Sequence, residues 1–269
     1  MGKETFTHEI KKEATLLVQE FAAKDRLSFN PARLVNRAVC NVIARITVGR
    51  RFEDSDNKVG DIISSINTIL GSDIVLVPDA PLLLLKKERS AVTHIRDFLN
   101  AEIKQHEKTF DGDELRDLVD MFLADERRQT TDSKKQTLPI GPLGVPHVTT
   151  EDVSVRDYVI PRGTTIMMNI LAIHSDPQIW GDPEVFRPER FLNADGTEFV
   201  KNKAYMPFGA GRRVCVGEQL ARMEIFIFVV TLVKHLSFCI PDGIEPNYDY
   251  GHRVTTLLPT PYEIIAKPR

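Results

Sequence analysis

The sequence predicts a mainly α-helical fold with small β-sheets, in which a helical part, residues 1–136, is followed by a part, 137–269, of short strands, a proline-rich loop and one long helix. Three observations predict it. Apolar residues recur at spacings of three and four through the first part. Pro and Gly crowd the stretch "LPIGPLGVP", which closes the helical region. Beyond it, alternating residues give way to the apolar run "IFIFVV" at 225–230.

Taken in order, "THEIKKEATLLVQEFAAKD" sets Ile10, Ala14, Leu17 and Phe21 on one helical face. In "FNPARLVNRAVCNVIARITVG", Asn30 reads as a cap and Pro31 as the first helical residue. Leu34, Val35, Ala38, Val39, Val42, Ile43 and Ile46 form its stripe, with Cys40 beside them as a core thiol. Further helices are predicted at 58–70, 87–106 and 113–125, with a connector from Val75 to Leu85. "VSVRDYVIPRGTTIMM" predicts a hairpin turning at Pro161–Gly163. Prolines 177, 183 and 188 break "HSDPQIWGDPEVFRPERFLNADG" into an ordered meander with no regular helix, packed by Trp180 and Phe191. The helix from Glu218 to Leu236 is apolar nearly all round between Ile225 and Val230, which predicts burial on most sides. Cys239 reads as core, and "HRVTTLLP" at 252–259 as an edge hairpin.

Composition narrows the function classes. Apolar residues make up 42% and charged residues 27%, as in soluble globular proteins, and the formal net charge is −3 with no basic block. Nucleic acid is therefore not an expected partner. Cys40, Cys215 and Cys239 lie far apart without a C-x-x-C pair, which excludes a disulfide framework and a zinc knuckle and suits a reducing compartment. No apolar run approaches the roughly 20 residues of a membrane span, and "MGKETFTHEIKKEA" has no apolar signal core. The chain is expected to be soluble.

The chemistry concentrates in "PFGAGRRVCVG", residues 207–217. Cys215 stands at the mouth of the long helix, where free N–H groups and the positive dipole end favour an anion, and a thiolate is the form that binds metal. Glycines 209, 211 and 217 let the backbone approach something flat or bulky. Arg212 and Arg213 can pair with carboxylates. A soft anionic ligand, a glycine loop and carboxylate-binding arginines suit a thiolate-ligated haem with its propionates. A glycine loop before a helix can also hold phosphate, although no G-x-G-x-x-G or Walker spacing is present. A nucleophilic cysteine with a distant histidine is the other open reading.

Phe208, Gly211, Arg213, Cys215 and Gly217 fit the pattern F-x-x-G-x-R-x-C-x-G, and the loop thereby resembles the haem-binding segment of the cytochrome P-450 superfamily. Average residue usage makes such a match on the order of 10^-7 per start position. "PEVFRPERF" is similar to the family's meander, "DYVIPRGTTIMMN" to its hairpin and next helix, and "PLGVPH" to its strand beneath the haem; "HRVTTLLP" at 252–259 resembles the hairpin whose tip faces substrate, with a plain edge hairpin as the other reading. The first part resembles the helices ahead of the oxygen-activating helix in the microsomal branch. The resemblance implies a haem-iron cofactor ligated by Cys215, with Phe208, Gly211, Gly217, Arg213 and His147 as cofactor-binding residues. It implies monooxygenation of an apolar small molecule, electrons from NADPH through a flavoprotein reductase, and residence at the cytosolic face of the endoplasmic reticulum membrane. Without an anchor, this chain would be cytoplasmic or peripheral, touching the membrane surface at most.

Departures from the family pattern carry their own expectations. The anchor, first small sheet and Trp/Arg helix have no counterpart at the start, and no A-G-x-D/E-T-T stretch occurs anywhere. "TTED" at 149–152 lies in another context, and E-x-x-R spacing occurs only at Glu184–Arg187, inside the meander. The junction near 129–140 reads as an excision, which leaves no proton-delivering catalytic residue. Arg190, whose family partner is the missing E-x-x-R helix, is expected to be stranded and to loosen the meander. The resemblance therefore leaves two outcomes: an impaired monooxygenase, or a non-catalytic truncated isoform or fragment that binds haem weakly or not at all.

Overall fold

The computed structural model describes residues 3–53, 57–70, 86–109, 144, 146–183, 185, 187–245, 250–251 and 258–269. The predicted helix at 113–125 and the connector at 75–85 lie outside them. Four helices open the chain: α1 (Lys3–Ala22), α2 (Ala32–Val48), α3 (Asn57–Leu70) and α4 (Lys86–Thr109). The stripe of α1 is buried as its spacing predicts, with Ile10, Ala14, Leu17 and Phe21 at most 2% exposed. Asn30 Oδ1 accepts the N–H of Ala32 at 2.9 Å. Pro31 therefore sits at the cap itself, one residue ahead of its predicted first helical place. Gly49 ends α2 in the left-handed region at φ 69°, open to a residue without Cβ.

One core joins the two ends of the chain. Its buried members are Ile10, Ala14, Leu17 and Phe21 of α1 and Ala38, Val42 and Ile46 of α2, with Phe228, Leu236 and Ala266 from far downstream. Leu236 begins β5 (Leu236–Cys239), which pairs antiparallel with β8 (Ile265–Pro268) in the register Phe238 to Ala266. Phe29 and Ile264 exchange two backbone hydrogen bonds at 3.0 Å, tying the α1–α2 connection to that sheet. Phe21 meets Phe29 and Phe238 edge-on, at centroid separations of 5.0 and 6.2 Å. Cys239 is exposed, correcting its expected place in the core, because a two-stranded sheet covers one face and leaves the other wet.

A smaller cluster of Val48 and Phe52, lined by Cys40, Ala44, Ile63 and Phe98, joins α2 to α3 and α4. Asn41, fully buried, grips the backbone of Phe52 from both sides: its amide donates to the carbonyl at 3.2 Å, and its oxygen accepts the N–H at 3.1 Å. Asn41→Ala should cost about 1–3 kcal/mol, since both backbone groups would stay buried without a partner. Urea unfolding should show a lower midpoint at unchanged slope.

The downstream part is built from small sheets and short turns. β1 (His147–Val148) pairs with β4 (Thr165–Ile166), and β2 (Val153–Val155) with β3 (Tyr158–Ile160). The β2–β3 hairpin turns at Arg156–Asp157, with Arg156 at φ 53°, and not at Pro161–Gly163. That second turn exists, but it leads from β3 into β4, where Thr149 Oγ1 donates to the Pro161 carbonyl at 2.7 Å. A short helix, α5 (Ile170–His174), follows the hairpin as the resemblance implies; the meander then holds one the prolines did not predict, α6 (Pro177–Trp180), and a 3-10 turn at Pro188–Phe191. Asn169 and Asp176 cap them, and Pro177 occupies the first turn, where its missing N–H costs nothing. Tyr250–Gly251 (β6) pairs with Leu258–Pro259 (β7), and the intervening 252–257 lie outside the described residues.

The long helix α7 (Glu218–His235) departs most from expectation. Leu220, Met223, Ile227, Phe228 and Leu232 pack into the core shared with α1. Ile225, Phe226, Val229, Val230 and Val233 are 47–68% exposed. Burial on most sides is corrected to burial on one. An apolar pattern all round states a need for cover without supplying it, and the described elements cover only the α1 side.

Candidate functional site

The loop that carries Cys215 is closed by its own backbone. Gly209 N–H returns to the Met206 carbonyl at 3.0 Å, and Cys215 N–H to the Phe208 carbonyl at 2.9 Å. Between them Gly209 and Gly211 take φ 78° and 73°, which side-chain-bearing residues rarely adopt. A 3-10 turn at Gly211–Arg213 follows, and the Cys215 carbonyl accepts the N–H of Glu218 at the start of α7. Among the described residues, no acceptor pairs with the N–H groups of Val216 or Gly217.

Five of the six sequence-predicted residues, Phe208, Gly211, Arg213, Cys215 and Gly217, are thus brought into one loop. His147 is half-buried on β1 opposite Ile166, and no hydrogen bond joins it to the loop. Arg213 is exposed. Phe208 is held by a residue that the motif did not single out: the Arg222 guanidinium lies 5.2 Å from its ring centroid and is itself paired with Glu218 at 2.9 Å. The i,i+4 spacing of Glu218 and Arg222 was the available signal.

The geometry suits a flat group carried by one sulfur. A Cβ placed on Gly209 or Gly211 would meet no heavy atom within 4 Å, so both glycines border open space. Cys215 is half-buried, while Val214 and Val216 beside it are 41% and 90% exposed. No group of three His, Cys, Asp or Glu side chains among the described residues could cage an ion. A single soft donor flanked by open glycines and exposed apolar side chains has the chemistry to hold a haem through its sulfur.

Supporting residues were partly hidden from sequence. Trp180, 8% exposed, donates its indole N–H to the Ile173 carbonyl at 2.8 Å, and Phe191 stacks on Phe199, meets Tyr205 edge-on and lies tilted against Trp180, as packing residues of the meander should. Arg190 is not stranded. It donates to the carbonyls of Arg187, Trp180, Asp182 and Val185 at 2.7–3.1 Å and lies 3.4 Å from the Asp182 carboxylate. Its planar fork reaches four local carbonyls in place of a distant carboxylate. Asp182 is held below its ordinary range, first by its hydrogen bond from Arg187. Two further residues lie outside every sequence motif. His174, its pKa lowered by burial, accepts the N–H of Met206 at Nε2, 3.0 Å away. Glu224 is buried on α7, its Oε1 without a hydrogen-bond partner among the described residues, and burial pushes its pKa up to about 7. Burial likewise raises the Cys40 thiol, and the Glu224 charge adds to it.

Comparison with known proteins gives a consistent picture. The Cytochrome P450 family model matches residues 1–138 and 137–266. Over its whole length the chain is 29% identical to Cytochrome P450 2D15 of Canis lupus familiaris, covering 71% of that protein. It is 29% identical to Cytochrome P450 2D10 of Rattus norvegicus, covering 70%, and 28% identical to Cytochrome P450 2D14 of Bos taurus, covering 71%. The first of these alignments runs 355 positions against the 269 residues of this chain, so 86 positions have no counterpart in it.

Proposed function

Because the chain belongs to the cytochrome P450 family, whose members are haem-thiolate monooxygenases, we propose that Cys215 is its axial haem ligand, with Arg213 and His147 as propionate contacts. The observation that carries the reading is the closed loop, in which the Phe208 carbonyl fixes the Cys215 backbone while Gly209 and Gly211 border open space. When bound, haem supplies oxygen activation and insertion of one oxygen atom into an apolar molecule, with the thiolate favouring O–O cleavage. The protein's own groups have simpler duties. Cys215 gives the sulfur. Phe208 is steadied by the Arg222 guanidinium over its ring.

Electrons would come from NADPH through a flavoprotein reductase, at the cytosolic face of the endoplasmic reticulum. Among the described residues no helix is long and apolar enough to cross a membrane. The acid–alcohol stretch that delivers protons in the family has no counterpart in the sequence. General acid catalysis contributes about 10^2–10^4-fold, so turnover should be weak and electron use uncoupled from product. The 86 unmatched positions and the uncovered face of α7 favour a second reading, a non-catalytic form that holds haem poorly or not at all.

Hemin reconstitution distinguishes the two. The wild type should give a thiolate-type ferrous–carbonyl spectrum that Cys215→Ala abolishes and Cys215→His converts to a nitrogen-ligated one. A spectrum indifferent to both substitutions would remove Cys215 from the site, and the lack of any Soret band would favour the second reading. With reductase and NADPH, peroxide should exceed oxidised product; tight coupling would mean that another group supplies the proton.

A further inference from the structure

We propose that His174 is the positioning residue for the Cys215 loop: its neutral imidazole fixes the backbone at Met206, from which the loop's closing hydrogen bonds lead to the cysteine. The relay can be followed atom by atom. His174 Nε2 accepts the Met206 N–H at 3.0 Å. The Met206 carbonyl accepts from Gly209, one residue beyond Phe208, whose carbonyl accepts from Cys215. The ring is held on two sides, stacked on Tyr205 at 5.8 Å and 20° and set edge-on to Trp180 at 6.3 Å and 89°. Trp180 is anchored in turn through Ile173, the neighbour of His174, and through Arg190, which grips its carbonyl.

The arrangement joins the meander to the loop at one point 32 residues apart in sequence. An imidazolium has no acceptor nitrogen, so the bond requires the neutral ring; burial favours that form and outweighs the hydrogen bond to the Ala204 backbone, which acts the other way. The consequence for sulfur placement rests on the haem reading above, whereas the fixing of residues 204–209 does not.

Amide exchange on haem-free protein tests the second statement. His174→Phe, which keeps the ring and loses the acceptor, should speed exchange at 204–209 by about tenfold and leave α1 unchanged. His174→Gln, which keeps an acceptor, should restore most of the protection. His174→Leu repeats the comparison should the phenylalanine variant not fold. Hemin reconstitution tests the first statement: the share of ferrous–carbonyl complex with a thiolate signature should fall in His174→Phe and recover in His174→Gln. Exchange at 204–209 no faster than in the wild type would overturn the proposal whatever hemin does. So would faster exchange with an undiminished thiolate share. If the wild type shows no thiolate signature, the haem reading fails, and the exchange comparison still decides whether His174 fixes the loop.

Discussion

Arg190→Met should cost about 3–5 kcal/mol of stability. The side chain is 12% exposed and spends its donors on four backbone carbonyls of one turn-rich segment, those of Trp180, Asp182, Val185 and Arg187. A methionine of similar volume fills the space but leaves these oxygens to compete for water they can only partly reach. Arg190→Lys should recover less than half of the loss, because one ammonium cannot reproduce a planar fork that serves four acceptors. Trp180, the chain's single tryptophan, reports the change directly, since its own carbonyl is one of the acceptors. Urea titrations followed by its fluorescence should show the lower midpoint. A loss below about 1 kcal/mol would mean that the carbonyls find other partners and that Arg190 does not organise the meander.

The second large effect is in pH. Glu224 is 7% exposed and unpartnered at Oε1, and its pKa rises from 4.5 to about 7 in the folded protein. Below pH 4.5 both folded and unfolded chains carry the proton, and burial adds no ionisation cost. Between 4.5 and 7 the unfolded chain releases the proton while the folded chain keeps it, so stability falls as pH rises. Above 7 the carboxylate is charged in both states and the penalty is complete, at about 3 kcal/mol. The Cys40 thiol, raised by the same burial, offers no opposing positive charge. Glu224→Gln should therefore be about 2–3 kcal/mol more stable than the parent at pH 8 and nearly equal to it at pH 4.5. Parallel pH profiles for the two proteins would show that the carboxylate reaches solvent.

Sequence disclosed the elements whose pattern is self-contained. The stripe of Ile10, Ala14, Leu17 and Phe21 needs no knowledge of its partner to be read as a buried face, and all four are buried. The Cys215 loop was legible because its residue types stand at fixed offsets, and the backbone closes around those offsets. The hairpin turn was misplaced because Pro-Arg-Gly is a stronger turn signal than Arg156–Asp157, where an arginine accepts a positive φ. Arg190 was misread for a different reason. Spacing reveals that an arginine is present but not which carbonyls lie within its reach. His174 and Glu224 carried no local pattern at all, since the role of each is set by a residue, or the lack of one, on another element.

The shared core also bears on how the chain is made. α1 and α2 can meet as soon as both have emerged, but the other side of α1 waits for Phe228, Leu236 and Ala266. At about 5–20 residues per second, that wait on the ribosome lasts roughly 10 to 40 seconds. During it, Leu17 and Phe21 keep company with solvent or a chaperone, and the closing contact must gather a loop of more than two hundred residues. The bridge between Phe29 and Ile264 is among the last bonds to form. A nascent chain released before residue 264 would therefore expose the α1 face at the one stage when it is most open to aggregation.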